Sequence, residues 1–244
     1  MNYNWDWLIF FRASVTGEGY YWEMVLRGSG WTVGISLLSW FIALALGTVA
    51  GVARTLPNKP TRWLATVYVH CFRNTPLLVQ LFLWYFVVPE LLPVRWGDAV
   101  KQMNPTLNQF LTVVVALTLY TAAKAAEQVR AGIESVPKSQ TQAALSVGLT
   151  RAAVYRYVLL PQAFRIVIPP MTSDFLNVFK NSAVALTIGL MELTGQSRQI
   201  SEFSAQPFEA FVMATLIYMV VTYCVILLMR WIEKRSRVPG LLGA

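Results

Sequence analysis

The sequence predicts an all-α integral membrane protein with five transmembrane helices, and three observations carry this prediction. The chain of 244 residues is 56% hydrophobic and has a mean hydropathy of +0.50. Charged residues make up 13% of it, about half the roughly 25% of an ordinary soluble domain. Several stretches without charges reach the roughly 20 residues that a helix needs to cross a bilayer. Too few polar side chains therefore remain to cover a soluble surface.

The five predicted spans follow these apolar runs. Arg73 interrupts the second span, and Asp174 and Lys180 interrupt the fourth. In the first span, Gly47 and Gly51 either allow a second helix to approach closely or share their spacing by chance. The spans lie, in order, between Arg27 and Arg54, from Trp63 to Val88, between Lys101 and Lys124, from Pro161 onward, and between Glu209 and Arg230.

The positions of the basic residues predict the orientation. The 54–62 loop, the 124–165 segment and the tail from Arg230 hold 13 of the 20 Lys and Arg residues, whereas the N-terminal segment and the 89–109 and 192–209 loops hold five. Because Lys and Arg gather on cytoplasmic loops, the N-terminus is expected outside and the C-terminus in the cytoplasm. The formal net charge of +8 then reflects topology, and nucleic acid is not an expected partner.

Several classes of chemistry are excluded by residue counts. The two cysteines, Cys71 and Cys224, lie in apolar stretches and cannot form a disulfide framework or a cysteine-based metal site. His70 is the sole histidine, and no GxxxxGK[ST] motif for nucleotide phosphates occurs. A membrane enzyme would also need a cluster of carboxylates or histidines at one depth, which the sequence does not contain. We therefore expect neither a cofactor nor an enzymatic activity in this chain.

The segment 124–165 is too long for a simple connection between helices. Ser139 and Gln142 have the spacing of a capping box, which predicts the start of a short helix. Gly148 can end that helix, and Thr150 can cap a second one running to Leu160. This helix–turn–helix either docks on a partner or folds back on its own bundle.

The same segment carries a resemblance to a known family. The string QAALSVGLTRAAVYRYVLLP resembles the cytoplasmic signature of ABC importer permeases of the MetI-like type I family. Gln142 stands where that signature usually has Glu, and His70 likewise stands where many relatives have Glu. FRNTPLLVQ and the run from Glu127 to Ser135 resemble permeases for polar amino acids. The N-terminal segment, TAAKAAEQVRAGIESVP and KNSAVALTIGL look most like a permease subunit of glutamate/aspartate importers. The positions that match the signature in register are Ala143, Ala144, Gly148, Leu160 and Pro161.

The resemblance, which covers about residues 30–232, implies a fold, a function and a set of partners. The short helix would be a coupling helix, formed by Gln142 and the matching positions, that docks on a separate ATPase subunit. The chain would import polar amino acids by alternating access across a bacterial inner membrane, with its N-terminus in the periplasm. Implied partners are a second permease subunit, two cytoplasmic ATP-binding subunits and a periplasmic binding protein. The sequence does not show whether the second permease is identical to this chain, and the glutamate/aspartate resemblance favours a different one. The implied division is a periplasmic or interfacial segment 1–28, the transmembrane domain 29–233 and a cytoplasmic tail 234–244.

Polar residues inside the spans are the candidates for the transport path, because charges in a membrane usually face the bundle interior or a water-filled route. If the second span is one bent helix, then His70, Arg73, Asn74 and Gln80 fall within about 120° of each other. Pro76 leaves a backbone carbonyl unpaired there. The sequence therefore predicts a polar face on this span.

The fourth span has a similar polar face. Asp174, Asn177 and Asn181 fall within about 60° on a helical wheel, and Lys180 widens the arc to about 120°. Asp174 either lines the path or pairs with Lys180 or Arg73 across the bundle. For an acidic amino acid, Arg73 and Lys180 could each hold a carboxylate and Asp174 the ammonium group.

A self-sufficient secondary transporter or channel is the alternative function. Such transporters often contain paired inverted repeats. Five spans, the lack of an evident internal repeat and the long cytoplasmic segment argue against it. The sequence alone does not distinguish glutamate from aspartate, glutamine or another polar amino acid.

Overall fold

The computed structural model describes residues 3–15, 17 and 19–236, and these residues are almost entirely helical. A 3₁₀ turn, Trp7–Phe11, precedes the first long helix. The tail predicted at 234–244 lies outside the described residues from position 237 onward. The helices are α1 (Tyr21–Thr55), α2 (Lys59–Asn74), α3 (Leu77–Leu91), α4 (Val94–Lys101), α5 (Pro105–Glu134), α6 (Lys138–Ser146), α7 (Leu160–Asn181), α8 (Leu193–Ser204) and α9 (Pro207–Ser236).

Three of these helices, α1, α5 and α9, are long and apolar enough to cross a membrane. Helices α2 and α3 reach that length and apolarity together, as a pair bent by 106°. Helix α7 has 22 residues, but charged side chains interrupt its apolar sequence. It is not among the helices that are long and apolar enough to cross a membrane. Among the described residues there are thus three candidate spans, or four if the bent pair is one span. The prediction of five spans and their orientation stays a prediction.

The second predicted span is broken rather than bent. Helix α2 ends at Asn74, and both Thr75 and Pro76 have extended backbone conformations before α3 begins. A proline disfavours the helical conformation of the residue before it and offers no amide to continue the hydrogen-bond ladder, which explains the break. The expectation that Gln80 shares one helix with Arg73 was therefore wrong.

The chain divides into two compact units that alternate along the sequence. Of the described residues, the first unit comprises those up to position 39, 76–117 and 177–224, and the second comprises 40–75, 118–176 and those from 225 to 236. Each has its own packed interior.

In the first unit, the N-terminal segment is folded onto the helices. Ile9 and Phe10 are buried, and they belong to one apolar cluster with Met24 of α1 and Leu193 of α8. The backbone amide of Asp6 donates a hydrogen bond to the buried carboxylate of α9 residue Glu209 at 2.7 Å. Residues 6–10 are thus a fixed part of this unit.

In the second unit, α1 and α5 pack with their backbones in close contact at two glycines. A Cβ atom at Gly47 would lie 2.7 Å from the Cβ of Ala125, and one at Gly51 would lie 2.7 Å from the carbonyl oxygen of Ala126. Both distances are too short for a real side chain. Of the two interpretations of the Gly47–Gly51 spacing, close approach of a second helix is therefore confirmed, and chance spacing is not.

Candidate functional site

The predicted helix–turn–helix is present, and its turn has the geometry that the sequence predicts. Helix α6 ends at Ser146, and Gly148 follows in the left-handed conformation with φ +88°. The amide of Gly148 donates to the carbonyl of Leu145 at 3.0 Å, and that of Leu149 donates to Ala144 at 3.2 Å. This pair of bonds is a Schellman motif, which satisfies the last carbonyls of the helix.

The next helix begins as predicted, because the Thr150 hydroxyl accepts a hydrogen bond from the amide of Ala153 at 3.3 Å. It does not end at Leu160. An α-helical turn, Arg151–Val154, leads through a π-helical turn, Tyr155–Leu159, directly into α7. The wide π turn lies just before Pro161, whose ring would clash with the preceding turn of a regular helix. The predicted boundary at Leu160 and Pro161 was therefore wrong.

The predicted capping box is also wrong. Helix α6 starts at Lys138, one residue before Ser139, and the cap position is occupied by Pro137 without a side-chain hydrogen bond. Proline before the first turn sets the extended entry into the helix without a cap of the Ser/Thr type.

One face of α6 is held by the second unit and the other is open. Ala144 is buried, and Gln140 accepts a hydrogen bond from the Gln162 side chain at 2.5 Å. On the open side, Gln142 and Ala143 are exposed, as are two apolar side chains, Leu145 at 42% and Val147 at 78%. A short, fixed helix that presents apolar groups outward is suited to docking on another protein.

The path residues Arg73 and Asp174 lie in the second unit but do not pair with each other. The Arg73 guanidinium is 48% exposed and lies 3.4 Å from the carboxylate of Glu127 on α5. Asp174 is buried and accepts a hydrogen bond from the side chain of Gln128. Asn74, at the end of α2, is exposed. The interpretation of an Arg73–Asp174 pair was therefore wrong.

Glu127 is the centre of a charge cluster that sequence reasoning did not assign. Its carboxylate binds Arg54 of α1, Arg73 of α2 and Arg130 of its own helix, and Arg130 also binds Glu134. We call these five residues the Glu127 cluster. The Arg54 side chain is 8% exposed, whereas that of Glu134 is 54% exposed. The available signal was the spacing of Glu127, Arg130 and Glu134 along one face of an apolar helix.

The remaining path residues lie in the first unit, at the end of α7. Helix α7 is continuous through Pro169 and Pro170, so the helical spacing predicted for Asn177, Lys180 and Asn181 is confirmed. Lys180 is exposed, and the two asparagines are half-buried.

A second carboxylate missed by sequence reasoning is Glu192, which is fully buried in the first unit. It caps α8 by accepting hydrogen bonds from the amides of Thr194 and Gly195, and it also accepts from the hydroxyls of Tyr218 at 2.9 Å and Thr32 at 3.3 Å. Burial raises the pKa of this carboxyl, while the four donors oppose the rise. With all these donors in place, Glu192 stabilises the fold rather than offering a free site.

Comparison with known proteins decides the family. The model of the family described as "Binding-protein-dependent transport system inner membrane component" matches residues 43–238. The chain belongs to this family. The matched residues include α6, the turn at Gly148 and the Glu127 cluster.

One relative matches the whole chain and another matches most of it. The glutamate/aspartate import permease protein GltJ of Escherichia coli (strain K12) is 42% identical over 244 residues, which is 100% of this chain and 99% of GltJ. The probable glutamine ABC transporter permease protein GlnM of Bacillus subtilis (strain 168) is 37% identical over 204 residues, 82% of this chain and 89% of GlnM.

Solved structures of the same fold are also similar. "Crystal structure of an amino acid ABC transporter with histidines" matches with a TM-score of 0.75 and 30% identity, covering 88% of this chain and 95% of that one. A chain of the MetNI methionine ABC transporter in an inward-facing conformation matches with a TM-score of 0.73. It is 19% identical, over 88% of this chain and 97% of that one, and so shows the fold alone.

Proposed function

We propose that the chain is the permease subunit of an ATP-driven, binding-protein-dependent importer of polar amino acids in a bacterial inner membrane. The full-length identity of 42% to a glutamate/aspartate import permease is the observation that carries the proposal. Helix α6, which is held on one side and exposed on the other and ends in a glycine turn, supports the proposal. A subunit driven by ATP hydrolysis elsewhere needs a rigid contact that transmits force. The self-sufficient secondary transporter finds no support among these relatives.

The proposed assembly contains a second permease, two ATP-binding subunits below and a periplasmic binding protein above. In it, α6 is the coupling helix, with Gln142, Ala143 and Val147 facing the ATPase. The end of α1, the start of α2, α6 and the end of α9 face the cytoplasm, as the basic residues predict. The permease itself contributes the path and the alternating access, and the partner subunits hydrolyse ATP.

The proposed substrates are glutamate and aspartate, and the path is lined by Arg73, Asn74, Asp174, Asn177, Lys180 and Asn181. Arg73 suits a substrate carboxylate because its guanidinium is half exposed and its contact with Glu127 is the longest in the cluster. A guanidinium can bind a carboxylate through two parallel hydrogen bonds. Asp174, in the same unit as Arg73, would answer the substrate ammonium group. Lys180, in the first unit, is a separate candidate that could bind a carboxylate as a point charge.

Replacing Arg73 tests this assignment. Exposed ion pairs contribute about 0–1 kcal/mol to stability, so Arg73→Ala should leave the thermal midpoint and expression nearly unchanged. We expect it to reduce glutamate uptake by the assembled importer at least about tenfold, since a charge-assisted pair is worth about 1.5–3 kcal/mol. Uptake and substrate-stimulated ATP hydrolysis are measured together.

The matched variants are Arg73→Lys and Lys180→Ala. Arg73→Lys keeps the charge but loses the paired geometry, so its uptake should fall between those of the parent and Arg73→Ala. Lys180→Ala should also lower uptake. Parental uptake in both Arg73→Ala and Lys180→Ala, at normal expression, would remove these residues from the path.

A further inference from the structure

The second unit contains a basic cavity that the proposed transport path does not use. Its volume is about 710 Å³, within the roughly 300–1,000 Å³ of small-molecule sites. Four cations line it: Arg54, Arg62, Lys138 and Arg151. We call it the Arg62 cavity. The end of α1, the connection to α2, the start of α2, the end of α5, α6 and the start of the following helix build its walls. Ile133, Val136, Val154 and Leu159 supply buried apolar surface.

The charges of this cavity are not balanced by the protein. Arg54 is engaged by Glu127, and the one carboxylate in the lining, Glu134, is engaged by Arg130. Within the described residues, no carboxylate forms an ion pair with Arg62, Lys138 or Arg151. All three side chains are exposed. The cavity thus offers three available cations to an anion.

A second, largely charged cavity adjoins the first, and exposed apolar residues of α2 lie beside it. This second cavity, of about 480 Å³, shares Arg54, Arg62 and Glu134 with the first and is also lined by Lys59, Trp63, Thr66 and Arg130. Trp63 is 63% exposed, and Leu64 and Val67 follow it on α2 at 62% and 40%. Cations beside an exposed tryptophan and aliphatic side chains are the chemistry of the membrane interface.

We propose that the Arg62 cavity binds the phosphate-bearing headgroup of an anionic phospholipid, with the acyl chains lying against Trp63, Leu64 and Val67. Basic pockets on the cytoplasmic side of membrane proteins bind such headgroups, and the positive-inside distribution predicts that side for residues 54–62. The unpaired cations and the apolar surface beside them favour a lipid over a soluble anion. This goes beyond the proposed transport function, because the site is separate from the path residues.

The test uses the full chain in nanodiscs containing phosphatidylglycerol or phosphatidylcholine. The lipid molecules retained per chain after detergent extraction are counted by native mass spectrometry. The triple variant Arg62→Gln, Lys138→Gln and Arg151→Gln should lose one phosphatidylglycerol per chain. Its affinity for that lipid should fall by roughly 100-fold, since each basic residue near an anionic lipid contributes about fivefold. Phosphatidylcholine retention should not change.

The matched control removes the same formal charge away from the cavity, as Arg156→Gln, Arg165→Gln and Arg230→Gln. It should retain phosphatidylglycerol like the parent. Because the three cavity cations are exposed, the triple variant should also keep the parental thermal midpoint; Arg62→Gln alone repeats the measurement if it does not. Equal loss of phosphatidylglycerol in the control and the cavity variant would overturn the proposal.

Two further measurements test whether the cavity binds a soluble anion or acidic side chains of a partner subunit instead of a lipid. Inorganic phosphate, tested alone by thermal shift in phosphatidylcholine nanodiscs, should not stabilise the chain through Arg62, Lys138 and Arg151. Stabilisation that is lost in the triple variant would assign the cavity to a soluble anion instead. If the variant keeps its phosphatidylglycerol but loses a co-purifying ATPase subunit, the cavity binds acidic side chains of that subunit and the lipid assignment fails.

Discussion

Gly148→Val should uncouple the permease from its ATPase. At φ +88° a β-branched residue is strained, and the left-handed conformation costs roughly 1–2 kcal/mol for an ordinary residue. Nothing lies within 4 Å of a Cβ at this position, so the effect comes from the backbone and not from a clash. The strain opens the Schellman turn and releases α6 from its fixed orientation. We expect ATP-driven uptake to fall at least about tenfold, with a parallel loss of ATPase co-purification.

Gly148→Asn is the matched control for this substitution. Asparagine also adds a side chain, but it tolerates the left-handed conformation better than other non-glycine residues. It should therefore retain most of the uptake. If both variants lose uptake equally, side-chain contact at the docking surface, and not the turn geometry, would be responsible. Parental uptake in Gly148→Val would contradict the role of this turn in coupling.

Glu127→Gln should destabilise the second unit more than any other single change in the Glu127 cluster. It removes the one carboxylate that Arg54, Arg73 and Arg130 share, and it leaves the largely buried Arg54 without a counter-charge. Breaking a buried ion pair costs about 3–5 kcal/mol, and the partial exposure of Glu127, at 24%, places this case near about 3 kcal/mol. The thermal midpoint in detergent should fall by about 6–12 °C.

Glu134→Gln provides the comparison, because Glu134 binds the same Arg130 but is 54% exposed. Its removal should change stability by less than about 1 kcal/mol. Equal midpoints for Glu127→Gln and Glu134→Gln would show that the cluster does not stabilise the unit. A further loss of uptake in Glu127→Gln at a temperature where it remains folded would connect the cluster to Arg73 and the path.

Local features could be predicted from the sequence because their causes are local. The charge-free runs located α1, α5 and α9, and the requirement for φ above zero at Gly148 and the hydroxyl of Thr150 located the turn between helices. The Gly47–Gly51 spacing left close helix approach and chance as equal interpretations, and only the structure shows the contact and its partner helix α5.

Features that depend on competing local effects or on distant partners could not be predicted. The prediction that Gln80 shares a polar helix face with Arg73 required a helix that Pro76 bends but does not break. In the structure, Thr75 adopts an extended conformation and the helix is broken there. The helix was expected to end near Pro161, but a π-helical turn accommodates that proline. The Glu127 cluster combines residues of three helices, so no spacing within one helix could identify Arg54 and Arg73 as partners of one carboxylate.

The measurement that tests the central claim most directly is uptake of labelled glutamate by proteoliposomes containing the chain with its partner permease, ATP-binding subunits and binding protein. The account predicts uptake that requires ATP and the binding protein, that is blocked by unlabelled aspartate and little affected by glutamine, and that is lost in Gly148→Val. Glutamate uptake by the purified chain alone, without ATP or an ATP-binding subunit, would contradict it.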